Sequence, residues 1–217
     1  MLKIKSFTFN PFMENTYVVY DETKEALIID PGCYEKLEKG ILLDFITKEN
    51  LQPVKLLNTH CHIDHVLGNA FVKTTFDIPL WYHEQEEQII KAVPTYAPNY
   101  GFPQYQSTKV DHYIREGEWI KFGNQQFLSL LVPGHSPGHL VFYHEPTHQC
   151  IAGDTLFQGS IGRTDLPGGE HETLLNAIKT KLFVLPDEVK IFPGHGASTT
   201  IGEEKSNNPF VGLNAKH

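Results

Sequence analysis

Short apolar runs punctuated by turn residues open the chain: residues 2–9, then Asn15-Thr-Tyr-Val-Val-Tyr20, then Ala26-Leu-Ile-Ile-Asp-Pro-Gly32. Runs of this length, rich in β-branched and aromatic residues, predict three strands in an antiparallel meander. Residues 34–50 place Leu37, Ile41, Leu42, Phe45 and Ile46 at a helical period, and Val54-Lys-Leu-Leu57 follows as a strand. Residues 66–76 suit a helix, 80–82 a strand and 84–93 a short helix. Residues 94–109 are rich in Pro, Tyr, Asn and Gly without a period, which predicts a loop long enough to act as a lid. Strand-like segments return at 118–122, 125–132, 140–143 and 150–152, then a helix at 171–185, a strand at 189–192 and an irregular tail at 198–217. No composition break marks a linker. The expectation is one α+β domain over residues 1–217, two sheets covered by helices.

Composition narrows the class. A chain of 217 residues is long enough for a substantial core, and 40% hydrophobic residues together with 17 glycines match ordinary globular domains. The longest apolar runs fall far short of the ~20 residues a membrane-spanning helix needs. Met1-Leu-Lys-Ile-Lys-Ser6 alternates like a strand and lacks the features of a signal peptide. A formal charge of −8 without any Lys/Arg block lacks the footprint of a nucleic-acid binder, which leaves a small molecule as the expected partner. Cys33, Cys61 and Cys150 form no CxxC pair and suit free thiols in a reducing compartment, so the cytoplasm is the expected location. Oligomeric state is open.

The 12 histidines are partly organised. Residues of metal-ligand type stand just past four predicted strands: His60-Cys-His62-Ile-Asp64-His65, Pro133-Gly-His135, Gly153-Asp154 and Pro193-Gly-His195. In an extended segment side chains two apart point the same way, so His60 and His62 can reach one ion, with Asp64 and His65 further on at a helix start. Cys61, between them, points away. Mixed imidazole and carboxylate donors suit zinc, and also iron or manganese, in an open catalytic site rather than a closed structural one. His139 stands near enough to support His135. His83, His112, His144, His148, His171 and His217 stand alone.

Thr59-His-Cys-His-Ile-Asp-His65 resembles the T-H-x-H-x-D-H signature of the metallo-β-lactamase-fold hydrolases, and the resemblance extends through Pro133-Gly-His135-Ser-Pro-Gly-His139, Gly153-Asp154-Thr-Leu-Phe157 and Pro193-Gly-His195-Gly. It implies a four-layer αββα sandwich with two divalent metal ions. His60, His62 and His135 would hold the first, Asp64, His65 and His195 the second, and Asp154 would bridge them. Asp30 matches a position that braces the metal loop. The segment from Gly159 to Gly169 and the tail from Thr199 to Phe210 look like the glyoxalase II branch, hydrolases of acylglutathione thioesters, here without that branch's C-terminal helical domain.

A metal-bound hydroxide is the expected nucleophile, since no Gly-x-Ser-x-Gly motif is present. Asp64 would orient it, Arg163 would hold a substrate carboxylate through its planar fork, and Tyr100, with Tyr96, Phe102 and Tyr105, would close over the apolar part of the substrate. Two other activities of the same fold compete. A persulfide dioxygenase would use one iron on His60, His135 and Asp154 and shares the Gly162-Arg-Thr-Asp165 segment; a lactonase or β-lactamase would use the same hydroxide. A non-catalytic metal-binding module is the remaining reading.

Overall fold

Residues 1–213 and Ala215 are described by the computed structural model; His217, among the isolated histidines, lies outside them, as do Asn214 and Lys216. The chain forms two compact units, Met1–Ile114 with Lys121–Gln126, and Arg115–Ile120 with Phe127–His217. No helix among the described residues is long and apolar enough to cross a membrane.

The first sheet runs β1 (Lys3–Phe9), β2 (Glu14–Tyr20), β3 (Glu25–Ile29), β4 (Gln52–Leu57), β5 (Leu80–Tyr82), β6 (His112–Tyr113) in spatial as well as chain order. The expected meander is present: β1, β2 and β3 pair antiparallel. From β3 onward the pairs are parallel. Parallel neighbours need a crossover, and helices supply them: α1 (Lys36–Lys48) before β4, α2 (Ile63–Val66) and α3 (Asn69–Phe76) before β5, α4 (Glu87–Tyr96) before β6. β2 and β3 are buried along most of their length and read as near-continuous apolar runs for that reason. Val18, Ile28, Leu56, Leu80 and Val72 make the core of this unit. α1 buries only Leu42 and Ile46, while Leu37 and Ile41, counted on its apolar face, are exposed.

The second sheet has the order β14-β13-β10-β9-β8-β7, from β7 (Trp119–Phe122), β8 (Gln125–Leu131), β9 (Leu140–His144), β10 (Gln149–Gly153), β13 (Lys190–Pro193) and β14 (Thr199–Thr200). β8, β9 and β10 form the second meander and β13 joins parallel to β10. A small ribbon, β11 (Leu156–Phe157) with β12 (Ser160–Ile161), was not visible in the pattern. α5 (His171–Ala177) continues as a π-turn over Ile178–Leu182 and contributes Leu174, Ile178 and Leu182 to a second core with Val141, Ala152 and Ile191.

Two expectations need correction. The stretch 94–109 is not a loop throughout, because α4 runs to Tyr96 and a 3₁₀ turn carries on to Tyr100. Pro94 lies in the helix near its end; Ile90 and Val93, both buried, hold that helix on the core despite the missing N–H. The tail is not irregular either: after β14 comes α6 (Ile201–Asn207), whose N-cap Thr200 accepts from the Glu203 N–H at 3.2 Å. Buried Glu204 on this helix accepts from Thr199 Oγ1, Gly159 N and Asn208 Nδ2.

One glycine sets the turn after β8. Gly134 has φ +126°, and a Cβ there would fall 2.3 Å from the Leu174 backbone nitrogen. Gly134→Ala is therefore expected to cost about 3 kcal/mol in urea denaturation of the metal-free protein; a loss under about 1 kcal/mol would mean that the turn re-forms without strain.

Candidate metal centre

In the first unit the donors gather where parallel strands end. Open α/β sheets collect ligands beyond the carboxyl ends of their strands. β3 ends at Asp30, β4 leads to Asn58-Thr59-His60, and β5 leads to His83 and Glu86. Asp30, with φ +49°, is 1% exposed. Its Oδ1 accepts from the Thr59 N–H at 2.7 Å and its Oδ2 from the Thr59 hydroxyl at 2.6 Å. The same Oδ2 stands 3.2 Å from His65 Nδ1. Asn58 Nδ2 holds the His65 carbonyl at 3.0 Å, and the Cys61 N–H donates to the fully buried Glu86 at 2.8 Å. The loop is braced from both sides before any metal is considered.

These bonds decide which nitrogen each ring offers. A carboxylate only accepts, so His65 Nδ1 carries the proton toward Asp30 and Nε2 keeps its lone pair. The Thr59 hydroxyl gives its one proton to Asp30, so it accepts from His60 Nδ1 at 3.1 Å, and His60 too keeps Nε2. The His60 ring lies 4.8 Å from His62 and 4.1 Å from His65 between centroids. Asp64 Oδ2 is 3.7 Å from His65 Nε2. Asp30, His60 and His65 have ligand atoms within 4.8 Å of one another, yet Asp30 already serves Thr59 twice and His65 once. Both of its oxygens are thus engaged in bracing the loop, and His60, His62, Asp64 and His65 are the candidate donors that remain. Burial pushes the carboxyl of nearby Glu14 well above the ordinary range, against the opposing pull of His65.

In the second unit the same logic recurs on β8, β10 and β13, which run in one direction and carry His135, Asp154 and His195 past their carboxyl ends. Asp154 Oδ2 stands 3.6 Å from His135 Nε2 and 3.5 Å from His195 Nε2. His135 Nδ1 donates to the Arg163 carbonyl at 2.7 Å, which again bares Nε2. His139 Nε2 accepts from the Asp154 N–H at 3.0 Å, so His139 carries its proton on Nδ1 and pins the backbone of Asp154. Gly194 donates to the Gly153 carbonyl at 2.7 Å, tying the Asp154 and His195 turns together. The His195 side chain, 27% exposed, is the open flank of this group.

The other predicted residues are placed differently. Arg163 gives both arms of its fork to Asp165 at 2.7 Å, holding the Asp165 carboxyl at about 2, and the pair is exposed. Its carbonyl, which no side-chain reading reveals, is what touches a donor. Tyr100 is 55% exposed, packing on Phe12 and Tyr96. Cys61 is buried in the core. Glu86 was missed: its partner Cys61 is 25 residues away, and only the β5 crossover brings it near.

Bared imidazole nitrogens set against carboxylates fit a divalent ion of the zinc, iron or manganese type, and no thiolate joins them. The model of the metallo-beta-lactamase superfamily matches residues 9–195. Hydroxyacylglutathione hydrolase GloC of Haemophilus influenzae is 38% identical over 217 residues, covering 99% of this chain and all of that protein. The crystal structure of the BLEG-1 B3 metallo-beta-lactamase is 36% identical with TM-score 0.88, covering 97% of this chain and 99% of that one. TTHA1623, crystallised in a di-iron-bound form, is 36% identical with TM-score 0.83, covering 95% and 99%. The fold is thus the one these proteins share, mixed α and β with two main sheets.

Burial lifts all three thiols, Cys33 and Cys150 to about 12, and Cys61 is raised as well. At pH 8 a thiol of that pKa is ionised to about one part in 10⁴. Ellman's reagent is expected to leave the native protein unmodified over an hour and to titrate three thiols in denaturant; fast modification of the native protein would contradict this burial.

Proposed function

The chain belongs to the metallo-beta-lactamase superfamily and is a metallo-hydrolase, and on that premise we propose that it hydrolyses an acylthioester of the S-acylglutathione type with two divalent metal ions. The full-length likeness to a hydroxyacylglutathione hydrolase carries this reading. His60, His62 and His135 would hold one ion, Asp64, His65 and His195 the other, and Asp154 would bridge them. What supports the set is the fixed tautomers of His60, His65 and His135 and the carboxylates beside them. Zinc is our assignment, with iron, the metal of the TTHA1623 crystal, as the alternative.

A bound ion of this kind lowers the pKa of its water from about 15.7 to roughly 7 and polarises a carbonyl. The protein's own part is orientation. Asp64, in the first turn of α2 and 15% exposed, would orient the attacking hydroxide with its carboxylate. His139 and the Arg163 carbonyl keep Asp154 and His135 from turning. Arg163 exchanges Asp165 for a substrate carboxylate at little cost, since water already screens an exposed pair. Tyr100 and Phe12 offer an exposed aromatic surface to the acyl part. Neither a serine elbow nor a thiolate competes for the nucleophile's role. The buried, reduced cysteines suit the cytoplasm, and the substrate is a small molecule.

A second reading, opening of a β-lactam or lactone ring, is favoured by the likeness to BLEG-1, because the same activated water attacks a cyclic amide or ester. A panel separates the two: S-lactoylglutathione, a chromogenic cephalosporin, a lactone, and glutathione persulfide with oxygen uptake, each with and without chelator. S-lactoylglutathione is expected to be the best substrate, with activity lost on chelation and restored by zinc. Loss of outer-shell partners alone costs 10–100-fold, so His60→Ala and Asp154→Ala should each lower kcat/KM by more than about a hundredfold. Turnover unchanged by chelator or by both substitutions would defeat the proposal, and a cephalosporin preferred over the thioester would favour the second reading.

A further inference from the structure

Gly32 is the meeting point of three groups from separate parts of the first unit. A Cβ there would lie 2.1 Å from Glu14 Oε2, 2.6 Å from Asn10 Nδ2 and 2.7 Å from the Asp64 carbonyl oxygen. None of these could approach so closely over any residue but glycine. Hydrogen bonds run through the junction. Asn10 Nδ2 donates to the Gly32 carbonyl at 3.0 Å and to the Asp64 carbonyl at 3.1 Å. The Gly32 N–H donates to Thr16 Oγ1 at 2.9 Å, and that hydroxyl donates on to Glu14 Oε2 at 2.9 Å. The other oxygen of Glu14, fully buried and without a hydrogen bond, stands 3.9 Å from His65 Nδ1.

Asn10 is locked in this role. It adopts φ +51°, its N–H donates to Glu38 of α1 at 2.6 Å, and its Oδ1 accepts from the Phe12 N–H at 3.0 Å. With its side-chain amide divided between Gly32 and Asp64, every polar group of the residue is used; its carbonyl accepts from Met13 N. The turn between β1 and β2 is thereby fastened to the backbone of one donor, Asp64, and set against the ring of the next, His65. The part of the loop that carries His60 and His62 is braced by Thr59 and Glu86.

We propose that Asn10, Glu14 and Gly32 are positioning residues for the Asp64–His65 pair, setting the affinity of the ion those two ligate and not that of the ion on His60 and His62. This rests on the two-ion reading above. Asp30 serves both halves of the loop through Thr59 and His65; the Gly32 junction serves one. Removal of such outer partners costs 10–100-fold in metal affinity, and here the cost falls on one ion of the pair.

The test titrates the full metal-free chain with Zn²⁺ against a chromophoric chelator, and with Co²⁺ read by its visible bands, in wild type, Asn10→Gly and Glu14→Ala. Asn10→Gly deletes the amide while keeping a residue at ease with positive φ. The expected result is two ions in wild type, and in Asn10→Gly one affinity lowered 10–100-fold with the other within about twofold, while the lost side-chain bonds lower the melting temperature of the metal-free protein without unfolding it. Glu14→Ala, where it folds, behaves alike; where it does not, Asn10→Gly decides. Two affinities that fall together, or neither falling, overturn this inference alone. A wild-type protein that takes up fewer than two ions overturns the functional reading and this one with it.

Discussion

Asp30 is the interaction on which the first half of the donor set depends. A carboxylate taken out of water is costly unless its oxygens are met by donors, and Asp30 is met by the Thr59 N–H, the Thr59 hydroxyl and His65 Nδ1. The single hydroxyl proton of Thr59 is spent on Asp30, which in turn obliges His60 to donate from Nδ1. One buried charge thus fixes the tautomers of two histidines. The sheet makes this possible: β3 and β4 are parallel neighbours, so the residue that ends the first arrives beside the loop that follows the second.

The second unit reaches the same end by a different arrangement. There the orienting groups are a backbone carbonyl, that of Arg163, and a neutral histidine, His139, rather than a carboxylate. Both histidine donors and the aspartate stay in turns of Gly and Pro, where the backbone is bent by Gly134 and tied by the Gly194 to Gly153 bond. A carbonyl and an imidazole carry no net charge, so Asp154 remains the local negative centre among its two histidine neighbours.

How much of this was legible depended on range. Apolar runs followed by His, Asp and Gly could be read directly, because each candidate donor lies within a few residues of the strand that delivers it, and the strands at β2, β3, β4, β8 and β10 stand where the apolar runs put them. Asp30 was legible as a brace only through a family likeness; its work needs the β3–β4 pairing. Glu86, Asn10 and Glu14 act across folds of the chain and leave no local mark. Pro94 misled by chemistry that is usually right, since burial of Ile90 and Val93 outweighed one lost hydrogen bond. The α6 helix is the opposite case: Thr200-Ile-Gly-Glu203 carries the start signal of a helix, and it was obscured by the polar residues that follow.

The way the chain is divided has a further consequence. Residues 115–120 belong to the second unit and 121–126 to the first, so the chain leaves the first unit, returns to it and leaves again. No single cleavage separates the two, and a ribosome that has released 114 residues has not yet supplied all of the first unit. Its hairpin tip, where Gly123 and Asn124 donate to Glu25 and Asp21, arrives only after part of the second has been made. Folding during synthesis therefore cannot proceed as two clean steps in sequence, and shuffling one half of this chain onto another would have to carry all three crossings with it.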